Sequence, residues 1–444
     1  MIFARSAAFL AVAAVAVAAG VAVLASLSGD YFRSPVRLGA YIVLPAAVAL
    51  VGSCCLAAGS RARALFVTYA AAGLVGVLAA EVILRTRGLP EAQVLGGAGE
   101  TDHAATERMR REGQRAFPHL CAALAPATGR GAEPTSPVRV DGESVQILTG
   151  LANNVIAVRS GIAGSSVRTD AFGFNNPPGQ WESANVRAAV VGDSFAFGVG
   201  APHGDGFVDR IRSLVGITVN LGCGGNGPLS ELASLVEYGR ALKPAVVVWA
   251  YFEGNDLPKD LPRELSTALL PRYLEPGFTQ NLRARRDKID AAIEVYLRAQ
   301  IAPARPPAPP AARGPALAFA SVASLEYLRT ELGMVNGYRS GALKLFERIL
   351  ARARTEAAGW GGIVFVYIPA QTRYSSAIAR WDADGYKRDV LAAARRLGIE
   401  TIDLDDEFGK AGRDPATLFS GHFTPEGHRL AGELIANRLL PHLR

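Results

Sequence analysis

Hydrophobic and polar positions divide the chain into three stretches with different patterns. The first is apolar almost without interruption. Ser6 to Gly29 carries no charge, Leu38 to Ser60 is a second such run, and Ala64 to Leu84 is a third, broken only by Glu81. A spanning helix needs roughly 20 apolar residues, so the pattern predicts three transmembrane helices within residues 1–87. The first run also fits a signal peptide, with Arg5 ahead of it and small residues behind. Its length and the two runs that follow favour an anchor.

The second stretch, residues 88–186, is a stalk and lead-in. Gly88 to Gly142 is polar and rich in Ala, Gly and Pro, with one predicted helix at Thr106–Ala116. Val145 to Arg168 gains β-branched residues, which predicts a few short strands. A turn-rich aromatic segment, Asp170 to Pro177, follows.

From Arg187 to the C-terminus, short apolar runs alternate with amphipathic ones. Ala188–Val191, Ile217–Leu221, Ala245–Tyr251, Ile363–Ile368 and Thr401–Leu404 read as strands. Gly206–Val215, Leu229–Leu242, Leu343–Ala358, Tyr386–Leu397 and Glu426–Leu440 read as helices. The third strand is apolar throughout, as a strand buried on both faces should be. Alternation of this kind predicts an α/β fold, a parallel sheet with helices on both faces. An insertion at 257–340 interrupts it. Leu282, Ile289, Ile293 and Tyr296 share one helical face there. Arg283, Arg285, Arg286 and Lys288 make its first half basic; a solvated face is expected, with an anionic polymer or lipid head groups as the alternative. Ala302 to Pro315 is Pro/Ala-rich and reads as an exposed linker.

Composition narrows the function classes. The chain has 444 residues, more than one typical domain, and a net charge of +7. Its basic residues are scattered, and no basic run interleaves with aromatics, so nucleic-acid binding has no support. Four cysteines are too few for a disulfide framework. Cys54 and Cys55 lie in an apolar run. Cys121 and Cys223 can pair in an oxidising compartment, but their spacing makes two free thiols the expectation. No Cys/His cluster has metal-ligand spacing, and neither metal nor cofactor is expected.

Four short segments carry candidate chemistry. Gly192-Asp193-Ser194-Phe195 ends the first strand and offers Ser194 as a nucleophile. Asn220 to Pro228, ending the second strand, is Gly-rich, and Gly225 can present a backbone N–H to a substrate oxygen. Glu253-Gly254-Asn255-Asp256 ends the third strand, where the Asn255 amide can donate to the same oxygen. Gly421 to His428 opens the final helix, with Thr424 as N-cap and Pro425 behind it. His422 lies just outside that helix, free to serve as base, while His428 falls within it. Each segment alone has an ordinary turn or strand-end reading; the four in order do not.

Together the segments resemble the SGNH, or GDSL, hydrolase family. Its first block is matched by Gly192 to Phe195, its Asn-x-Gly-x-x-Gly block by Asn220, Gly222 and Gly225, and its Gly-x-Asn-Asp block by Asn255 and Asp256, with Glu253 in place of Gly. Of its Asp-x-x-His block only His422 is present; Phe419 stands where Asp is usual, and Ser420 at the alternative Asp-x-His position. The resemblance implies a three-layer α/β/α fold with a parallel, flavodoxin-like sheet. It implies Ser194 as nucleophile, His422 as base, and Ser194 N–H, Gly225 N–H and Asn255 as the oxyanion hole. Asp414 remains a possible orienting acid; a backbone carbonyl or Ser420 is the preferred one.

Family members with N-terminal spans act on acyl groups of cell-envelope polysaccharides. The resemblance thus implies an esterase in a bacterial-type inner membrane, multi-pass, with its catalytic domain outside the cytoplasm. Its partners would be an acylated polysaccharide, the lipid bilayer and envelope assembly proteins. An O-acyltransferase on the same substrates, or an inactive carbohydrate-binding or assembly subunit, are the alternatives. The arginines flanking the apolar runs nearly balance across the membrane and leave orientation open.

Overall fold

The computed structural model describes residues 34–87, 102–117, 138–157, 166–301 and 341–443 without a break, and parts of 6–19 and 322–334. Most of the first apolar run, most of the stalk and the Pro/Ala-rich segment lie outside the described residues. The chain forms two compact units. One comprises Met1–Leu89, Pro307–Gly341 and Thr372–Lys387; the other comprises Pro90–Pro306, Ala342–Gln371 and Arg388–Arg444.

In chain order, α1 is Leu44–Ala58 and α2 is Ser60–Arg87. Strand β1 (Ala188–Gly192) leads into α3 (Ser194–Phe197) and α4 (Phe207–Val215). Strand β2 (Thr218–Asn220) precedes α5 (Pro228–Ser234), and β3 (Val246–Phe252) precedes the insertion, which holds α6 (Arg286–Ile301) and α7 (Glu326–Glu331). The chain then runs through α8 (Ala342–Ala357), β4 (Gly362–Ile368), α9 (Ala377–Arg396), β5 (Glu400–Asp403) and α10 (Pro425–Leu439).

The second unit is built on a five-stranded parallel sheet ordered β2-β1-β3-β4-β5. This is the predicted strand order, with the switch point beside β1, where ligands meet the carboxyl ends of strands in open α/β sheets. Strands β1, β2 and β3 are buried at every residue. Helices flank the sheet: α4 packs on α10, and α5 on α8. Two antiparallel pairs, Arg139–Val140 with Glu143–Ser144 and Val155–Ala157 with Ser166–Arg168, precede the sheet.

Three expectations are corrected. The helix predicted at Thr106–Ala116 runs from Asp102 to Arg111 instead. The basic face of α6 and the residues before it is solvated only in part: Lys288 is exposed, but each cation already has a partner within the chain. Arg286, nearly buried, pairs with Asp290 and donates to Thr149 Oγ1 and Gly150 O at 2.9 and 2.7 Å. Arg285 reaches Val140 O, Lys288 pairs with Asp141, and Arg283 lies over the Phe172 ring. These cations tie down the lead-in. Finally, Cys223 is disulfide-bonded while Cys54 and Cys55 are free; the fourth cysteine, Cys121, lies outside the described residues.

In the first unit, two helices are long and apolar enough to cross a membrane, Val36–Ala58 (23 residues) and Ser60–Thr86 (27 residues). Their side chains are apolar and exposed around the helix, among them Leu50, Val51, Leu74 and Val75. Gly59, at φ +113°, makes the turn between them. A hairpin of this kind brings the start of the first helix and the end of the second to the same level, and a polar collar closes that end. Ser34 donates to Asp382, and Arg37, fully buried, donates to Tyr386 Oη at 2.8 Å and Met334 O at 2.9 Å. Glu81 pairs with Arg85 and accepts the Tyr327 and Leu328 amides at the start of α7. Ser376 donates to Glu331 O. The collar also explains why α9 begins nine residues before the predicted Tyr386. Asp382 interrupts the apolar pattern in sequence, yet it sits on the buried face with Ala379, Ala383 and Tyr386 because Ser34 satisfies it.

Candidate active site

The apolar strand β1 ends at Gly192, and the chain turns at once into the four-residue helix α3. Asp193 is the N-cap: its Oδ1 accepts the Phe195 amide at 2.9 Å, satisfying one of the donors a helix start leaves open. Ser194 is the first helical residue. Two asparagines hold the far end of this short helix. Asn220 Nδ2 donates to Ala196 O at 2.6 Å, and Asn175 Nδ2 to Phe197 O at 2.8 Å. A Cβ at Gly222 would lie 2.5 Å from Ala196 Cβ and 3.0 Å from Phe197 N, so only glycine lets the second loop close on α3. Asn176 exchanges hydrogen bonds with the Asn220 backbone at 2.7 and 2.9 Å and also donates to Asp170 Oδ2. The aromatic lead-in thus frames the serine helix.

Of the expected oxyanion donors, Asn255 is linked to Ser194 through Asp193. Neither the Ser194 nor the Gly225 amide has an acceptor among the described residues. Gly225 adopts φ +81°, and Arg263 holds its carbonyl. Asn255 Nδ2 donates to Asp193 Oδ2 at 3.3 Å, and Ser194 Oγ lies 3.4 Å from the same oxygen. Asp193 therefore links the serine to the third-strand asparagine.

His422 comes to the serine from the opposite side. Its Nε2 lies 2.8 Å from Ser194 Oγ. It sits on a tight hairpin in which Phe419–Ser420 pairs with His422–Phe423 around Gly421, at φ +77°. Gln371, just past the end of β4, fastens that hairpin: its Oε1 accepts the Gly421 amide at 2.8 Å and its Nε2 donates to Phe419 O at 3.4 Å. The Phe195 ring centroid lies 5.1 Å from the imidazole. Burial alone pulls His422 down to about 4, so the ring is neutral at neutral pH and its Nε2 can accept the serine proton. No group among the described residues accepts from Nδ1. Asp414 is exposed, and its carboxylate caps the turn Pro415–Leu418 through the Ala416 amide at 3.0 Å. Ser420 is exposed on the hairpin, and Phe419 packs 5.0 Å from Phe423 and 6.4 Å from Phe195. The position of the usual aspartate is part of an aromatic cluster.

Carboxyl groups gather instead beneath the serine. Asp193, Glu231 and Asp256 are fully buried, and Asp260 and Glu264 nearly so. Glu264 is well served, accepting the Gly227, Leu229 and Ser230 amides at 2.8, 2.8 and 3.0 Å as the cap of α5. Both oxygens of Glu231, Oδ1 of Asp256 and Oδ2 of Asp260 lack a hydrogen-bond partner among the described residues. Burial first, then mutual repulsion, pushes Glu231 and Asp256 well above the carboxylate range. Burial raises Asp260 to about 8 against the opposing pull of Arg263, and Asp193 to about 6 against its hydrogen bonds. A buried carboxyl without donors favours its neutral form.

The structure thus brings Ser194 to His422 directly and to Asn255 through Asp193, and leaves Asp414 in a capping role. Glu253, the departure in the third block, accepts the Ala370 amide at 2.8 Å and braces the ends of β3 and β4. His428 accepts the Phe207 amide at Nδ1 and donates from Nε2 to Val199 O at 3.0 Å, a packing role within the core. Sequence reading named no role for Asn175, Asn176 or Gln371. Their signal was available: a polar amide side chain at a strand end or lead-in turn, within reach of a motif backbone.

A family model described as the GDSL-like lipase/acylhydrolase family matches residues 190–430. Among solved structures, the chain is similar to LAE5, an alpha/beta hydrolase enzyme from the metagenome of Lake Arreo, Spain. The identity is 15% and the TM-score 0.32, over 60% of this chain and 98% of LAE5. It is also similar to a catalytic mutant of Axe2, an acetylxylan esterase from Geobacillus stearothermophilus, at 15% identity and TM-score 0.31, over 57% of this chain and 94% of Axe2. No curated protein matches the chain.

Proposed function

The chain belongs to the GDSL-like lipase/acylhydrolase family and is an ester hydrolase, and from that premise we propose a membrane-anchored serine esterase that removes O-acyl groups from an envelope or exported polysaccharide outside the cytoplasm. The observation that carries the chemistry is the 2.8 Å contact between Ser194 Oγ and a neutral His422 Nε2. Ser194 Oγ attacks the ester carbonyl as its proton passes to His422 Nε2. The carbonyl oxygen becomes an oxyanion, met by the Ser194 and Gly225 amides and the second N–H of Asn255 Nδ2. The C–O bond to the sugar then breaks, the imidazolium returns its proton to the departing alcohol, and an acyl-serine remains. Water, activated by the same histidine, completes the hydrolysis.

Two features support the location. The disulfide at Cys223 belongs to an oxidising compartment. The apolar hairpin also has an asymmetric charge pattern. At the collar end Arg37 is buried and bonded and Arg85 is paired, whereas Arg61 is exposed at the Gly59 turn. With the bonded arginines of the collar set aside, the positive-inside tendency favours the turn inside and the collar outside.

A fluorophosphonate probe tests the chemistry. Labelling of the wild type but not of Ser194→Ala is expected; equal labelling of both removes Ser194 from the mechanism. Paired assays with acetyl and long-chain esters test the acyl group, and faster turnover of the long chain would overturn the polysaccharide reading. A C-terminal reporter active only in the cytoplasm should be silent.

A further inference from the structure

Helix α9 carries two exposed apolar side chains that no described residue covers. Ile378 is 47% exposed and Trp381 56% exposed, three residues apart on one face. The adjoining face is buried through Ala379, Asp382, Ala383 and Tyr386. The buried face fixes where the exposed one lies. Asp382 accepts from Ser34, and Tyr386 Oη accepts from Arg37; Ser34 stands two residues before the apolar helix Val36–Ala58, and Arg37 is its second residue. Trp381 adjoins Asp382 in the chain, and Ile378 is about one helical turn, 5.4 Å, before it. The polar head-group zone of a bilayer is roughly 5–7 Å deep on each side of the hydrocarbon. Both side chains therefore fall within that zone if Val36 marks where the hydrocarbon begins.

The chemistry of the face suits that depth. Tryptophan is enriched at membrane–water boundaries because its ring is apolar and its N–H is polar. Arg380, between the two apolar residues and exposed, stacks on Tyr374 at 5.8 Å and adds a cation at head-group level. At the other corner of the collar, Arg85 lies over the Tyr327 ring at 5.0 Å, a second aromatic at the same end of the hairpin.

We propose that the first turns of α9 lie in the lipid head-group layer, with Ile378 and Trp381 inserted as an interfacial anchor beside the spans. The occupant of this face is the bilayer itself. The inference rests on reading Val36–Ala58 and Ser60–Thr86 as membrane spans. It adds that a segment far along the chain, Thr372–Lys387, is held on the membrane surface with the spans.

The test uses the full chain reconstituted into phosphatidylcholine–phosphatidylglycerol vesicles containing lipids brominated either just below the head group or near the chain end. Flotation comes first, then quenching of intrinsic tryptophan fluorescence in wild type and Trp381→Phe. Shallow bromines should quench the wild type more than deep ones, and Trp381→Phe should lose most of that difference while keeping wild-type esterase turnover in detergent. Equal quenching of wild type and variant would overturn the inference, and a protein partner over the face would give this result. Failure of both proteins to float would remove the spans and the inference together. The esterase assay is independent of either outcome, so loss of the anchor reading is distinguishable from loss of the catalytic one.

Discussion

Beneath Ser194 the chain buries Asp193, Glu231, Asp256 and Asp260; around His422 it buries Phe195, Phe419 and Phe423. Charge develops on both sides during acyl transfer, negative on the substrate oxygen and positive on the imidazole. An acid on the histidine side would stabilise the imidazolium, and among the described residues none contacts the ring. Acids on the serine side would repel the oxyanion if they ionised, and there they are crowded together. The comparison teaches that the acids beneath the serine are compatible with catalysis because burial holds them towards their neutral forms. Asp193, at about 6, is the exception. It ionises near neutral pH and touches Ser194 and Asn255, so a carboxylate reaches the forming imidazolium through the serine oxygen.

Removing either partner of the central contact should have the largest effect. Ser194→Ala and His422→Ala are each expected to reduce turnover by about 10⁴–10⁶, the range seen when a nucleophile or base is lost. Circular dichroism should show an intact fold. Residual turnover equal to wild type in either variant would break the pairing of the two sides.

Asn255→Ala should lower turnover by roughly 10²–10³ with little change in KM, the effect of losing one oxyanion donor. A rise in KM with turnover unchanged would instead make Asn255 a binding contact or a turn residue.

These residues were legible in the sequence because each combines a special residue type with a strand-end position: Ser194 after Gly192, Gly225 in a glycine loop, Asn255 after an apolar strand. The core strands were legible because uninterrupted apolar runs report burial on both faces, whereas their flavodoxin-like order came only from the family resemblance. What the sequence hid were long-range polar contacts. The helix expected from Tyr386 starts earlier because Asp382, polar on a buried face, is satisfied by Ser34, 348 positions away. Arg286 looked solvent-facing until Thr149 and Gly150 met it. The Cys223 disulfide was discounted on spacing, which says little about distance across a fold. The acid cluster was invisible because Glu231 and Asp260 fall in segments whose local pattern is ordinary for a helix.

The pH profile sharpens the contrast on the histidine side. A base works when neutral, so kcat/KM should be present above the His422 pKa and lost as pH falls through about 4. Adding a carboxylate by Ser420→Asp should stabilise the imidazolium and move the inflection upward. An unchanged inflection near 6.5 in the wild type would show that the ring is less buried than the hairpin places it.

On the serine side the linkage has the opposite sign. Raised carboxyl pKa values mean that the folded state holds protons the unfolded chain has released. Stability is therefore full below the ordinary carboxylate range and is lost as pH rises, through about 6 for Asp193 and about 8 for Asp260. Glu231→Gln removes one titrating group while keeping its shape. It should leave the melting temperature nearly unchanged at pH 5 and raise it at pH 9, by about 2–4 °C per kcal/mol of relieved penalty. Equal shifts at both pH values would assign the effect to packing rather than charge.

The smallest expected effect tests whether the histidine side lacks an acid in solution. Asp414 is the carboxylate nearest in sequence to His422 on the N-terminal side of the hairpin, and a loop fold-back would make it the third catalytic member. In the structure its carboxylate is committed elsewhere, capping the Pro415–Leu418 turn through the Ala416 amide. Asparagine caps about as well as aspartate, so Asp414→Asn should change neither the melting temperature nor turnover appreciably. Losing a true triad carboxylate costs about 10⁴ in turnover, far outside what a lost cap can produce. A fall of that size with an unchanged melting temperature would mean that the loop rearranges in the working enzyme to bring Asp414 to Nδ1. The histidine side would then acquire an acid, and the difference between the two sides would hold only for the resting enzyme.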